Sequence, residues 1–193
     1  MAMAARTGSG MVAEWFTVAA ARERDVPPCR WSKPPAILVK INFDGATSLV
    51  RSSAGCIIRD HYGNLIYARV VPSCLCSSLE SEAHALLESL LFAISCGISK
   101  DVFEGDCATL INFLLEGNGI PLWSVTTLFL SCKNIINHHP EFSVAFSPRL
   151  TNKAAHALAR FGLSCNSSFT WSSAPLFLKK IVLADSAEFS NEY

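Results

Sequence analysis

The segment from Ser77 to Gly97 constrains the fold more than any other part of the chain, because it has the pattern of a long amphipathic helix. Ser77 and Glu80 have the spacing of a capping box, and apolar residues then recur at helical period. Three strand patterns precede this helix and a fourth follows it at 102–106. A helix between strands indicates a crossover, so strand 102–106 is predicted to run parallel to an earlier strand.

The remaining elements follow from periodicity and turn residues. The predicted strands are 37–44, 54–60, 64–71, 102–106 and 141–147. The predicted later helices are 108–115, 122–137 and 152–161. The second and third strands are separated by a short joint containing Gly63, which predicts an antiparallel hairpin. The order βββαβααβα predicts an α/β fold with a mixed sheet that has an antiparallel edge.

Three carboxylates stand where core elements begin or end. Asp44 ends the first strand before Gly45, Asp106 ends strand 102–106, and Glu82 lies near the start of the long helix. If strand 102–106 pairs in parallel with the first strand, Asp44 and Asp106 lie side by side at one rim of the sheet. Carboxylates are the ligands that hard divalent cations prefer. The three positions therefore suggest a cation site.

Each carboxylate also has a purely structural interpretation. Asp44 before a glycine fits a turn, and Glu82 in the first turn of the helix complements the helix dipole. Asp106 fits the N-cap of the following helix. The residues taken singly leave these alternatives open.

Charge and cysteine content limit the classes of function. The 193 residues include 16 Lys or Arg and 16 Asp or Glu, so a nucleic-acid partner must be held by a local basic patch. The eight cysteines include no Cys-x-x-Cys pair, and neither Cys74-x-Cys76 nor His138-His139 has the spacing of common zinc fingers. No apolar run reaches the roughly 18 residues that a membrane helix needs. We expect an intracellular protein, nuclear or cytoplasmic, without a membrane partner.

A proline-rich segment marks the predicted domain boundary. Pro27-Pro28 and Pro34-Pro35 bracket Trp31 and hold the chain extended. We predict a disordered leader and linker at 1–35, one domain at 36–165, and a tail with a short helix at 166–193. The arginines and alanines of the leader keep an organelle transit peptide as an alternative.

Five blocks of sequence carry a family pattern. They are Trp31-x-x-Pro34-Pro35 with Lys40-Ile41-Asn42-Phe43-Asp44-Gly45-Ala46, Ala54-Gly55-x-x-Ile58-Arg59-Asp60-x-x-Gly63, Ser81-Glu82-Ala83-x-Ala85-Leu86, Glu104-x-Asp106, and Arg149-x-x-Asn152-x-x-Ala155-His156-x-Leu158-Ala159. Together they resemble the type 1 ribonuclease H domain, most closely the plant version found alone or at the end of non-LTR retrotransposon polyproteins. The resemblance covers about residues 31–165. It implies a five-stranded mixed sheet, three antiparallel strands and then two parallel ones, flanked by helices.

The resemblance also implies a metal-dependent endonuclease. In that family, acids at the positions of Asp44, Glu82 and Asp106 bind two Mg²⁺ or Mn²⁺ ions at the scissile phosphate of the RNA strand in an RNA–DNA hybrid. Asp44 is expected to bridge the two ions. The implied products carry a 5′ phosphate and a 3′ hydroxyl, and the protein is expected to be a monomer. The predicted contacts to nucleic acid are Gly45, Arg59, Arg149, Asn152 and Lys153.

Two departures from the family pattern define the alternatives. Bacterial and retroviral members have an aspartate where this chain has His156, which is predicted to position a water or shuttle a proton in catalysis. Imidazole is a poorer partner than carboxylate for a hard cation. Between Leu79 and Lys100 there is no Arg or Lys to handle the substrate, so hybrid binding is predicted to be weak and salt-sensitive. The alternative functions are a retroelement-derived nucleic-acid-binding domain with weak or lost turnover, and a structural domain without a nucleic-acid role.

Overall fold

The computed structural model describes residues 30–74, 77–117 and 123–186. The strands in these ranges are β1 (Val39–Thr47), β2 (Ser52–Arg59), β3 (Leu65–Ser73), β4 (Asp101–Gly105), β5 (Phe142–Phe146) and β6 (Phe169–Trp171). The α-helices are α1 (Ser78–Ser95), α2 (Ala108–Glu116), α3 (Trp123–His138), α4 (Lys153–Gly162) and α5 (Leu176–Ser186). A short 3₁₀ turn, Arg149–Thr151, precedes α4. No helix of these ranges is long and apolar enough to cross a bilayer.

All six strands form one mixed sheet in the order β5-β4-β1-β2-β3-β6. The pairs β1–β2, β2–β3 and β3–β6 are antiparallel, and the pairs β1–β4 and β4–β5 are parallel. The predicted α/β class, hairpin and parallel crossover are therefore confirmed. The prediction of five strands is wrong, because Phe169–Trp171 adds β6 to the edge of β3. Its aromatic and β-branched residues favour the extended conformation.

The end of β1 also differs from the prediction. The strand does not stop at Asp44 before a turn but continues to Thr47, with Gly45 opposite Ala54 of β2. The turn comes later and is closed by the hydrogen bond from Ser48 N to Arg51 O, at 2.7 Å. The ladder to β2 satisfies the backbone of this segment, so the glycine is not needed for a turn here.

Helices cover both faces of the sheet. α1 packs over β1, where Ile41 and Phe43 enter a core that also includes residues of α2 and α3. α4 packs over β2 on the opposite face, against a second core that includes Ile57 and Val70. Gly55 permits this approach, because a Cβ at that position would lie 2.3 Å from the backbone nitrogen of Ala159. The sheet is therefore the middle layer of three.

A set of buried polar residues, which we call the back-face network, lies on the α4 side of β1. Lys40 Nζ pairs with Glu104 Oε1 at 2.7 Å, and Arg59 Nη1 pairs with Asp185 Oδ2 at 2.7 Å. Asn42 links the two pairs, since it donates to Glu104 and accepts from Arg59. The sixth member is Trp31, whose ring lies 3.6 Å from the Arg59 guanidinium and whose Nε1 donates to Asn42.

The back-face network corrects one predicted contact. Arg59 was predicted to contact nucleic acid, but its side chain is fully buried, stacked on Trp31 and paired with Asp185 of α5. An arginine in that environment has no surface to offer to a phosphate. The prediction for Arg59 is therefore wrong.

The domain extends past both predicted boundaries. Trp31, placed before the boundary at 36, is only 4% exposed, and Asp185 of α5 lies beyond the boundary at 165. Both pack against Arg59, so these segments belong to the folded unit. Residues 1–29 and 187–193 lie outside the described residues, and the disorder of the leader stays a prediction.

Candidate metal centre

The register between β1 and β4 brings two of the predicted acids together. Asn42 lies opposite Glu104 in the parallel pair. Continuing that register by two residues places Asp44 level with Asp106, which follows directly after β4. Asp44 is fully buried and the side chain of Asp106 is 8% exposed. The predicted side-by-side arrangement is confirmed.

Glu82 reaches the same place from α1, whose start is fixed by the predicted capping box. Glu80 N donates to Ser77 Oγ at 3.1 Å, and Ser77 N donates to the Glu80 carboxylate at 2.9 Å. Gly45 then lets the helix approach β1, because a Cβ there would lie 2.3 Å from the carbonyl carbon of Ser81. The Gly45 N–H donates to Glu82 Oε2 at 3.2 Å. Gly45 thus positions Glu82, and its contact with nucleic acid stays a prediction.

None of the three structural interpretations of the acids holds. Asp44 lies inside a strand instead of a turn. Glu82 lies after the first turn of α1, where the acidic residue is Glu80. The N-cap of α2 is Cys107, so Asp106 does not cap that helix. The buried acids therefore have no local backbone role.

The three carboxylates form a cluster suited to hard cations. One ligand oxygen from each of Asp44, Glu82 and Asp106 lies within 4.8 Å of the others, and the cluster is the one group of this kind within the described ranges. Asp106 Oδ1 is buried and has no hydrogen-bond partner there. A buried carboxylate oxygen without a donor is a ligand atom that is free to bind a cation. The residues present therefore fit divalent metal ions.

Burial and mutual repulsion disfavour the charged forms of these acids. Burial, followed by the charges of Glu82 and Asp106, raises the pKa of Asp44 to about 9. Burial and the charge of Asp106 raise the pKa of Glu82 to about 8, although the Gly45 N–H and Arg149 oppose the shift. Divalent cations would supply the further positive charge that favours the ionised forms of these acids.

Arg149 and His156 complete the site. Arg149 Nη1 lies 2.8 Å from Asp106 Oδ2 and 3.3 Å from Asp44 Oδ1, and Nη2 lies 3.1 Å from His156 Nε2. His156 Nδ1 lies 2.8 Å from Asp44 Oδ2. Because a guanidinium only donates, Nε2 must accept, and the proton of the neutral ring is on Nδ1. Burial and the charges of Arg149 and Arg160 lower the pKa of His156, which favours this neutral ring.

The outcomes differ for the two remaining predicted contacts with nucleic acid, Asn152 and Lys153. Asn152 is 1% exposed and its amide donates to the carbonyl of Phe43 at 2.9 Å, which ties the start of α4 to β1 beside Asp44. The predicted contact of Asn152 with nucleic acid is therefore wrong, because its side chain is buried. Lys153 is exposed at the start of α4, and its contact with substrate stays a prediction.

The chain matches a known sequence family over the elements that build this site. The matching residues are 42–162, more than half of the chain, and the family is described as reverse transcriptase-like. The chain belongs to this family. No curated protein matches the chain.

Several solved structures to which this chain is similar are ribonucleases H. Ribonuclease H1 from the halophilic archaeon Halobacterium salinarum is 20% identical in sequence, with a TM-score of 0.61. The matched region covers 65% of this chain and 97% of the archaeal chain. The N-terminal ribonuclease H domain of Rv2228c from Mycobacterium tuberculosis is 14% identical, covers 66% and 94%, and also has a TM-score of 0.61. LC11-RNase H1 was isolated from compost by a metagenomic approach, and one of its structures contains an RNA/DNA hybrid. In that structure it is 16% identical to this chain, with a TM-score of 0.60, and the match covers 65% of this chain and 96% of LC11-RNase H1. The chain therefore has the ribonuclease H-like fold.

Proposed function

We propose that this protein is a metal-dependent endonuclease that hydrolyses the RNA strand of RNA–DNA hybrids. The observation that carries the proposal is the convergence of Asp44, Glu82 and Asp106 at one edge of the sheet, with their ligand oxygens within 4.8 Å of one another. The ribonuclease H-like fold supports this reaction class. The hybrid bound in the LC11-RNase H1 structure supports the substrate class.

The acids would hold two Mg²⁺ or Mn²⁺ ions, with Asp44 as the bridging ligand. Bound ions of this kind neutralise the phosphate, lower the pKa of the attacking water and stabilise the leaving 3′ oxygen. Glu82 and Asp106 complete the two sites. Gly45 holds one oxygen of Glu82 in place through its N–H, so the carboxylate is oriented before an ion arrives.

His156 is suited to orient a water molecule or move a proton. Its Nδ1–H is directed to Asp44, and this contact fixes the ring and the tautomer. Its Nε2 keeps a lone pair that currently accepts from Arg149. When Arg149 turns away, that nitrogen is a base with a lowered pKa at the edge of the site.

Substrate binding relies on few basic groups. The formal net charge of the chain is zero, and α1 carries no Lys or Arg. Arg149 lies partly exposed against the acids, and Lys153 is exposed at the start of α4; these two residues are the proposed phosphate contacts. We therefore propose weak, salt-sensitive hybrid binding that depends on shape and 2′-hydroxyl groups more than on sequence.

Cleavage of an end-labelled RNA–DNA hybrid tests the proposal. The assay is run in Mg²⁺ and separately in Mn²⁺, with RNA duplex and DNA duplex as alternative substrates. Asp44→Asn is the matched control, since it keeps the shape of the side chain and removes its charge. Hybrid cleavage that is lost in Asp44→Asn supports the nuclease. A well-folded protein that cleaves nothing with either metal contradicts it.

A second candidate is a hybrid-binding domain without turnover. His156 favours it, because imidazole is a poor ligand for a hard cation at a position where bacterial and retroviral members of the family it resembles have aspartate. The contact of Arg149 with two of the acids favours it too. Hybrid binding with an unchanged hybrid after prolonged incubation would identify this function. A retrotransposon-derived plant origin, a monomeric state and a nuclear or cytoplasmic location are further proposals.

A further inference from the structure

Arg149 places a guanidinium inside the candidate metal centre. Its Nη1 contacts Asp106 Oδ2 at 2.8 Å and Asp44 Oδ1 at 3.3 Å. Its Nη2 contacts His156 at 3.1 Å. The hydrogen bond to Asp106 and the charges of the three acids raise the pKa of Arg149, despite its partial burial. One side chain therefore supplies the positive charge that the acid cluster lacks.

These contacts use oxygens that a divalent ion needs. Asp44 Oδ1 accepts from Arg149, and Asp44 Oδ2 accepts from His156. Asp106 Oδ2 is also taken, so Asp106 Oδ1 is its remaining oxygen. A guanidinium and a divalent cation at the same oxygens repel each other and compete for the same lone pairs. The guanidinium and a divalent ion therefore cannot bind these oxygens at the same time.

The arginine is the partner that is free to leave. Its side chain is 56% exposed, whereas the side chains of Asp44 and Asp106 are 0% and 8% exposed. Its backbone lies in the 3₁₀ turn, which the Ser147–Thr151 hydroxyl contact at 2.7 Å holds in place. Swinging an exposed side chain back into water costs little, while moving a buried carboxylate disturbs the sheet.

We propose that Arg149 is the resident cation of the metal-free site, and that a divalent ion binds by displacing its guanidinium from Asp44 and Asp106. The inference rests on the proposed metal centre and deepens it. The displaced guanidinium stays beside the site, where its two parallel donors match the oxygens of a phosphate. Metal binding would thus turn Arg149 from a ligand of the acids into a ligand of the substrate.

Calorimetric titration of Mn²⁺ and of Mg²⁺ into the full chain tests this exchange without any substrate. The variant is Arg149→Gln, which keeps a polar side chain and removes the charge. The matched control is Arg160→Gln, because Arg160 is an exposed arginine of α4 whose charge also lowers the pKa of His156. No contact of Arg160 with a carboxylate is found in the described ranges. We expect about tenfold tighter metal binding for Arg149→Gln, which corresponds to about 1.4 kcal/mol, and little change for the control.

The possible outcomes separate the two proposals. Equal affinity in wild type and Arg149→Gln overturns the displacement and leaves the metal centre intact. Absence of binding in all the proteins overturns the metal centre itself. A metal-induced rise in melting temperature is the second measurement, and we expect a larger rise in Arg149→Gln than in wild type. If Arg149→Gln does not fold, Arg149→Lys replaces it, and a smaller tightening is expected because lysine lacks the paired donors.

Discussion

Two clusters of buried charge share strand β1 and are built in opposite ways. In the back-face network each charge has an opposite charge at 2.7 Å, Lys40 with Glu104 and Arg59 with Asp185. In the metal centre, three acids share one partly exposed arginine. Paired buried charge is consistent with a structural role, whereas unbalanced buried charge lowers stability and marks a functional site. The difference distinguishes the cluster that is proposed to bind metal from the one that stabilises the fold.

The largest expected effect is on the unbalanced cluster. Asp44→Asn should lower hybrid cleavage by roughly 10³-fold or more, because the proposed bridging ligand is lost. The same change should leave the metal-free protein equally stable or more stable, since it removes a buried acid whose ionisation is disfavoured by burial and by the neighbouring acids. Cleavage assays and urea unfolding measure the two quantities. A marked loss of stability would show that the acid has a structural role after all.

The paired cluster should respond in the reverse manner. Arg59→Met should lower the free energy of unfolding by about 3–5 kcal/mol, because it leaves Asp185 without its partner and Trp31 without its stack. Affinity for metal should not change. Lys179→Met, at an exposed position of α5, is the control for the loss of a positive charge. Urea unfolding with and without Mn²⁺ measures both effects, and weakened metal binding would mean that the clusters are coupled.

The pH dependence of stability should come from the unbalanced cluster. The pKa of Asp44 is raised from 3.8 to about 9, and the pKa of Glu82 is raised from 4.5 to about 8. Between these values the two acids hold protons in the folded state that the unfolded chain releases. The contribution of these acids to the stability of the metal-free protein should therefore be fully present near pH 4 and be lost as the pH rises towards 9. Buried Asp101, with its pKa raised to about 7, acts in the same direction.

Thermal melting across this pH range, in wild type and Asp44→Asn, isolates the contribution of Asp44. The melting temperature of wild type should fall by several degrees, and the variant should show a shallower decline. Saturating Mn²⁺ should also reduce the decline, because the bound ion favours the ionised acids. Parallel curves for the two proteins would contradict the raised pKa of Asp44.

The smallest effect is expected at the rim of the site. Lys153→Ala should reduce the slope of log affinity against log salt for hybrid binding by about 1, with equal losses for all sequences. Lys179→Ala is the matched control on a different helix. Fluorescence anisotropy with a labelled hybrid at several salt concentrations provides the slopes. An unchanged slope would remove Lys153 from the proposed interface.

Local sequence signals predicted the frame of the site well. The capping box at Ser77 fixed the start of α1, and the crossover rule placed Asp106 beside Asp44. Both signals depend on neighbouring residues or on the general handedness of chains. The predicted contact of Gly45 with nucleic acid stays a prediction, and the structure gives this glycine the separate role of allowing the close approach of Ser81.

Contacts between distant segments could not be predicted in this way. Arg59 looked like a phosphate contact because a lone arginine gives no sign of Asp185, its partner on the last described helix. The position of Arg149 among the acids depends on how the 3₁₀ turn directs one long side chain, which no periodicity encodes. β6 was missed because three residues are too few to show alternation.

The pairing of Arg59 with Asp185 also constrains when the domain can complete its folding during synthesis. The two residues are 126 positions apart, and the acid belongs to the final described helix. During synthesis Arg59 therefore emerges from the ribosome long before Asp185. Within the described ranges, Asp185 is the only residue that forms an ion pair with Arg59. Until that helix emerges, the growing chain carries an arginine that cannot be buried without cost. Completion of this domain is consequently tied to the synthesis of that helix.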